Sequence, residues 1–187
     1  MPLKFFLLAI LFALVLSASD EPLRFNPNGE MLFPANYREW VWLSSGLGMN
    51  YRPSTEPDNS PDFDNVFVSP QAYRAFVATG VWPNGAVFML EIRSSRSKGS
   101  INLSGHYQGE VESIEAHVKK PDGSWGFYSF GKESKPARMI PLQAGCYSCH
   151  EQHGAVDTTF VQFYPTLLPI ALAKKTVNEK AFAETNK

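Results

Sequence analysis

The only two cysteines of this chain, Cys146 and Cys149, are separated by two residues and are followed at once by His150. In a helix, Cys146 and His150 share a face because they lie four residues apart, with Cys149 one position before the histidine. The two thiols can then reach the two vinyl groups of one porphyrin while the imidazole reaches the iron. The spacing therefore predicts one covalently attached haem c, with Cys146 and Cys149 as thioether donors and His150 as the metal ligand.

The same cysteine spacing also occurs in redox dithiols, disulfides and zinc sites, and the sequence leaves these alternatives open. A thioredoxin-type dithiol lies early in its domain, whereas Cys149 lies late in this 187-residue chain. The residues that could bind zinc are Cys146, Cys149, His150 and His153. They leave no loop between two ligand pairs, where zinc sites usually have about a dozen residues or more.

The N-terminal residues have the pattern of an export signal. Lys4 supplies a positive charge, an unbroken apolar stretch follows over residues 5–16, and small residues at 17–19 offer a cleavage site. The apolar stretch is shorter than the ~20 residues that a membrane-spanning helix needs. We therefore predict a cleaved signal peptide over residues 1–19 and a periplasmic or secreted protein, with an uncleaved anchor as the alternative.

After the signal, enough chain remains for one domain with a sizeable core. We predict a haem-binding domain over residues 20–173 and a polar tail over residues 174–187, poorly ordered because it lacks a clear apolar face. The formal net charge is -1 and the two signs are mixed along the chain. This balance gives no reason to expect nucleic acid or an acidic membrane surface as a partner.

Two helices are predicted in the first half of the domain. Asn36 can cap a helix that has Glu39 at its third position, and apolar residues at helical spacing extend this helix over residues 36–45. A second helix begins at Pro70, which follows a serine cap, and ends at Gly80.

The hydrophobic period then changes to two, which is typical of strands. On one of these strands Ile114 and Val118 alternate with Glu115 and His117, so we expect His117 to point to solvent. The predicted strands cover residues 66–68, 87–92, 111–119 and 125–130. The fold class is α+β: a predominantly antiparallel β-sheet with flanking helices and a C-terminal haem c attachment helix.

No residue stands out as a second axial ligand for the iron. All five methionines precede Cys146, and Met49 and Met89 fit core positions better than a ligand position. His153 stays on the same side of the ring as the proximal histidine, while His106 and His117 are predicted to be exposed. An iron with one open face binds small molecules. The sequence therefore predicts a vacant axial position.

Several blocks of the sequence resemble the cytochrome P460 family. The C-terminal block, residues 146–167, looks like the family's signature, and shorter blocks at residues 37–40, 64–68 and 73–76 are similar to the same family. The resemblance spans residues 33–170. It implies a mostly antiparallel sheet carrying one haem c with five-coordinate iron, often as a homodimer. By position, the two cysteines and the histidine of the motif take the family's attachment and ligand roles.

The family includes two kinds of activity. Cytochromes P460 oxidise hydroxylamine, and cytochromes c′-β bind nitric oxide or carbon monoxide. The resemblance therefore implies a protein that acts on a small nitrogen compound. The first hypothesis for this chain is hydroxylamine oxidation, with electrons passed to an external acceptor such as another cytochrome. The alternative is nitric oxide binding without turnover. A plain electron carrier, the third interpretation, would need a strong sixth iron ligand.

The polarity of the pocket beside the iron would separate these functions. A substrate that must lose protons needs an ionisable base, and Glu91, Glu110 and Asp157 lie near segments that we expect to form the pocket. A neutral diatomic gas is favoured instead by apolar walls. The rings that could form such walls are Phe67, Phe76, Phe88 and Trp42.

The catalytic branch of the family also joins a lysine side chain to the porphyrin. Residues 88–91, where we look for that lysine, contain none, and the nearest one, Lys98, fits a solvated loop position. This departure weighs against hydroxylamine turnover but not against haem binding. The haem propionates also need cationic or amide partners. The candidates are Arg38, Arg74, Arg93 and Arg138.

Overall fold

A five-stranded antiparallel sheet is the centre of the fold in the computed structural model, which describes residues 23–49 and 60–184. The strands are β1 Val41–Leu47, β2 Phe63–Val68, β3 Val87–Arg96, β4 Tyr107–Lys119 and β5 Trp125–Ser129. Each strand pairs with the next one along the chain, so the order in the sheet is β1-β2-β3-β4-β5. The predicted α+β class with an antiparallel sheet is confirmed.

Helices flank this sheet before β3 and after β5. The α-helices of the described residues are α1 Pro70–Thr79, α2 Gly145–His153, α3 Leu168–Lys174 and α4 Glu179–Glu184, and short 3-10 turns cover Tyr37–Glu39 and Val161–Phe163. Helix α1 has Pro70 in its first turn and ends at Gly80, whose φ of 76° and N–H bond to the Phe76 carbonyl are typical of a helix C-terminus. The predicted second helix is therefore confirmed.

Both faces of the sheet are covered. Successive side chains on a strand point to opposite faces, so Met89 faces one interior and its neighbour Phe88 the other. The first interior, the N-terminal core, contains Met31, Tyr37, Val87, Met89, Ile114, Val118, Tyr128 and Phe130. The second, the C-terminal core, contains Leu43, Val68, Phe76, Trp82, Phe88, Val161 and Leu167. The sheet is thus the middle layer of the domain.

The helix predicted over residues 36–45 is wrong. The chain makes one 3-10 turn at Tyr37–Glu39, is extended at Trp40, and continues directly into β1. Strand β1 pairs with β2 from Val41 opposite Val68 to the far end of both strands. The apolar spacing fitted a helix, but pairing with β2 satisfies the same backbone groups and overrides the local preference.

The structure describes residues 174–184 of the predicted polar tail. Within it, α4 packs onto α2, and only 2% of the Ala181 surface is exposed. Glu184 accepts a hydrogen bond from His153 Nδ1 at 2.7 Å. One small apolar side chain and one polar contact therefore anchor a segment whose sequence shows no clear apolar face.

The predicted signal peptide, residues 1–19, lies outside the described residues. Among the residues that the structure does describe, no helix combines the length and the apolar character needed to cross a membrane.

The anchoring of α4 predicts a difference between two alanines of the same helix. Ala181→Asp places a charge in a buried contact and should lower the free energy of unfolding by about 1–3 kcal/mol. The matched variant Ala183→Asp changes an exposed position and should cost less than about 0.5 kcal/mol. Urea unfolding of the two variants measures both values, and equal effects would show that α4 does not pack as described.

Candidate cofactor site

Helix α2 presents Cys146, Cys149 and His150 to one cavity. The cavity has a volume of about 810 Å³ and lies between α2 and the face of the sheet that carries the C-terminal core. Sites for cofactors and other small molecules usually measure roughly 300–1,000 Å³. The apolar side chains of its walls include Val66, Phe88, Leu90, Ile92, Phe127, Phe160 and Phe163. A flat, largely apolar group can therefore occupy this space.

The imidazole of His150 is held in one tautomer. Its Nδ1 lies 2.8 Å from the carbonyl oxygen of Thr158, which can only accept, so Nδ1 carries the proton and Nε2 keeps its lone pair. Burial lowers the pKa of His150, although the Thr158 bond opposes that shift, and the ring stays neutral near pH 7. The rings of Phe127 and Phe160 contact it at centroid distances of 4.7 and 4.3 Å. His150 thus has the form of a metal ligand.

The two cysteines are free thiols and are partly buried. Burial raises the pKa of Cys149, and the neighbouring Cys146 raises it further. A redox dithiol instead has a cysteine whose pKa is lowered, because its thiolate is the reactive form. The environment of Cys149 is therefore unlike that of a redox dithiol.

The four residues that could bind zinc do not form a metal site in the described part of the chain. His153, the fourth of these residues, contacts Glu184 on α4. Over residues 23–49 and 60–184, no three histidine, cysteine, aspartate or glutamate side chains are grouped so that they could hold a metal ion.

The prediction that His117 is exposed is wrong. Only 7% of its surface is accessible, and its ring stacks on Phe127 at 4.0 Å and meets His150 edge-on at 4.8 Å. Burial is the main reason why the pKa of His117 lies well below its ordinary value, and the nearby His150 lowers it further. The polar side of β4 faces the cavity rather than water, which the alternation of residue types could not reveal. His106 is exposed as predicted.

None of the three predicted bases lines the cavity. Glu91 lies in the N-terminal core, where Tyr37 and two arginines donate hydrogen bonds to it. Glu110 is exposed beside Arg96, and Asp157 pairs with Lys119.

Two other carboxylates line the cavity instead. Asp64 on β2 and Glu115 on β4 face it, and Asp62 lies at its exposed rim. Burial raises the pKa of Glu115. Burial, with added repulsion from Asp62 and Glu115, raises the pKa of Asp64 to about 6. Sequence reasoning missed both groups, although the alternation on β4 had already placed Glu115 on the same face as His117.

Most of the other pocket predictions also change. Of the four rings proposed as walls, Phe88 lines the cavity, whereas Phe67 packs against Tyr37, Phe76 stacks on Trp82, and Trp42 is exposed. The cavity lining in the described part of the chain contains no lysine and none of the four arginines proposed as propionate partners.

A match to a known protein family covers most of this site. The family model described as Cytochrome P460 matches residues 34–161, which include the sheet and the Cys-x-x-Cys-His helix. The chain belongs to the cytochrome P460 family. A comparison with curated proteins found no match.

Membership makes this chain a haem c protein, and its residues fit that group. The cavity has the volume and the aromatic walls for a porphyrin, no disulfide joins the two cysteines, and the neutral imidazole keeps the lone pair of Nε2 available to bind iron. The orphaned Nε2 of His117, buried without a hydrogen-bond partner beside His150, is a further sign that the described residues alone do not complete this wall.

Proposed function

We propose that the chain is an exported monohaem c cytochrome in which Cys146 and Cys149 form the thioethers and His150 binds the iron. Three observations support this assignment: the three side chains line one cavity, both thiols are free, and the His150 tautomer exposes a lone pair. The haem, when bound, would supply an iron centre that can bind a small ligand and accept electrons from it.

We further propose that the substrate is hydroxylamine. The observation that carries this choice is the pair of cavity carboxylates, Asp64 and Glu115, with raised pKa values. Hydroxylamine must lose protons as it loses electrons, so its oxidation needs a base whose pKa lies near the working pH. Nitric oxide carries no proton to remove, and charged walls would add nothing to its binding.

The carboxylates also provide a route for the released protons. Glu115 faces the cavity from β4, one cavity-facing position from His117. It accepts the proton from the substrate. Asp64, whose pKa responds to the charges of both Glu115 and Asp62, takes the proton onward, and the exposed Asp62 releases it to water. The electrons leave to an external acceptor such as another cytochrome.

Nitric oxide binding without turnover is the second candidate function. It is favoured by the absence of a lysine from the described cavity lining, because the catalytic branch of the family links a lysine to the porphyrin. The apolar residues Val66, Leu90 and Ile92 in the walls also suit a neutral diatomic ligand.

The attachment proposal predicts which variant loses covalent pigment. Cys146→Ser combined with Cys149→Ser removes both thioether sulfurs, so denatured protein from this variant should carry no haem. The wild-type protein, expressed with the maturation machinery for haem c, should retain its pigment through denaturation. Haem staining of a denaturing gel measures both, and covalent pigment in the double variant would contradict the assignment.

The base proposal predicts a loss of hydroxylamine turnover in Glu115→Gln. The amide cannot accept the proton, so kcat with hydroxylamine and an oxidant should fall about 10²–10⁴-fold. Glu110→Gln changes an exposed glutamate of the same strand and is the matched control, with wild-type kcat expected.

Nitric oxide titration of the same proteins separates the two functions. Glu115→Gln should bind nitric oxide as the wild type does, because that ligand needs no base. If the wild type binds nitric oxide but shows no sustained oxidation of hydroxylamine, the enzyme proposal fails and the second candidate stands.

The pKa of Asp64 predicts the pH dependence of turnover. Below about 6 the carboxyl is protonated and cannot accept a proton, so kcat should rise as the pH increases through that value. Asp64→Asn should remove this step, whereas Glu110→Gln should keep it. A profile of kcat over about pH 5 to 8, the interval around the pKa of Asp64, measures the change. An unaltered profile in Asp64→Asn would exclude Asp64 from proton transfer.

A further inference from the structure

The loop that follows α2 has an unusual backbone. Asp157 and Thr158 are consecutive non-glycine residues with φ values of 47° and 60°, in the left-handed region. Asp tolerates this region, but it is rare for a β-branched residue such as threonine. Such a conformation persists only where the surrounding contacts determine it. The carbonyl that this loop presents is the one that accepts the Nδ1 proton of His150.

The Asp157 carboxylate fixes the loop to the sheet. Its Oδ2 accepts a hydrogen bond from Lys119 Nζ at 2.6 Å, and its Oδ1 accepts one from Trp125 Nε1 at 3.2 Å. Lys119 Nζ also donates to the Trp82 carbonyl at 2.9 Å. The ion pair is partly shielded from water, chiefly on its cationic side, since the Lys119 side chain is 11% exposed and that of Asp157 is 31% exposed. It therefore keeps its strength better than a surface pair.

A second contact fixes the loop on the other side of Thr158. Thr159 Oγ1 accepts a hydrogen bond from Trp82 Nε1 at 2.8 Å and donates to the Val156 carbonyl at 2.6 Å. Thr158 lies between these two fixed residues, so its carbonyl has little freedom to move.

The close approach of the loop to α2 depends on Gly154. A Cβ atom at this position would lie 2.6 Å from the His150 carbonyl oxygen and 2.6 Å from the Thr158 carbonyl carbon. Only glycine permits this distance. The loop is therefore held against the helix that carries His150, with Asp157 as its polar connection to β4 and β5.

We propose that Asp157 is a positioning residue for the haem ligand: through Lys119 and Trp125 it sets the Thr158 carbonyl against His150 Nδ1 and so tunes the donor strength of Nε2. A well-placed acceptor polarises the Nδ1–H bond and makes the ring a stronger donor, which stabilises the ferric over the ferrous iron. This inference rests on His150 as the iron ligand but not on the hydroxylamine chemistry.

The test uses the holoprotein with Asp157→Asn and, separately, Lys119→Met. Each variant removes the ion pair but leaves the motif intact, so the Nδ1 bond should lengthen and the imidazole should become a weaker donor. We expect the ratio of ferrous to ferric protein at a fixed potential to rise about three- to tenfold. A tenfold rise corresponds to an increase of about 59 mV in the midpoint potential of a one-electron couple. The iron–imidazole stretching frequency of the ferrous protein, measured by resonance Raman, should fall.

Matched controls distinguish positioning from a general loss of stability. Asp122→Asn and Lys120→Met change the neighbouring ion pair at the β4–β5 turn, which does not contact the Thr158 loop, and should leave the potential and the frequency at wild-type values. Lys119→Arg keeps the cation and should also behave as the wild type. A variant that unfolds more easily but retains the wild-type potential and frequency would overturn the proposal, because Asp157 would then stabilise the fold alone.

The haem assignment is tested separately from the role of Asp157. Covalent haem and histidine ligation are established or refuted in the wild-type holoprotein, before any variant is compared. A wild type without an iron–imidazole band would refute His150 ligation, whereas a normal wild-type band with unshifted variants would refute the role of Asp157 only.

Discussion

Burial of both faces of the five-stranded sheet is the constraint on which the rest of the structure depends. Every polar side chain on the central strands must find a partner or remain unsatisfied in an interior. On one face, Glu91 receives hydrogen bonds from Tyr37 and two arginines, and these outweigh burial so that its pKa is lowered. On the other face, Asp64 and Glu115 have raised pKa values because burial dominates. The first arrangement stabilises a charged carboxylate, whereas the second favours the protonated form of two carboxyl groups.

The two halves of the cavity are assembled in different ways. The half that carries His150 is local in sequence: α2, the loop with Thr158, and Phe160 follow one another directly. The opposite half is assembled by strand register. Gly46 of β1 lies opposite Asp64 of β2, and Leu90 of β3 lies opposite Glu115 of β4. The motif side chains are thus encoded in one short segment, whereas the rest of the cavity depends on the whole sheet.

This difference explains which parts the sequence could predict. Cys146, Cys149 and His150, helix α1 and the β4–β5 hairpin rest on spacing, capping and turn residues, which are local signals. His117 was misassigned because a period of two gives the faces of a strand but not what covers each face. Glu91 was misassigned for the same reason, since two of its partners, Tyr37 and Arg38, come from a segment that is distant in sequence. The helix expected over residues 36–45 failed because a neighbouring strand competed for the same backbone groups.

The strand order has a consequence for how the molecule is built. Since every strand pairs with the one that precedes or follows it, each pairing closes only a short stretch of chain, and the entropic cost of that closure is small. The sheet is also complete in sequence before Gly145 begins α2. The sheet, which forms one wall of the cavity, can therefore pair its strands before the segment that carries Cys146 and Cys149 folds against it.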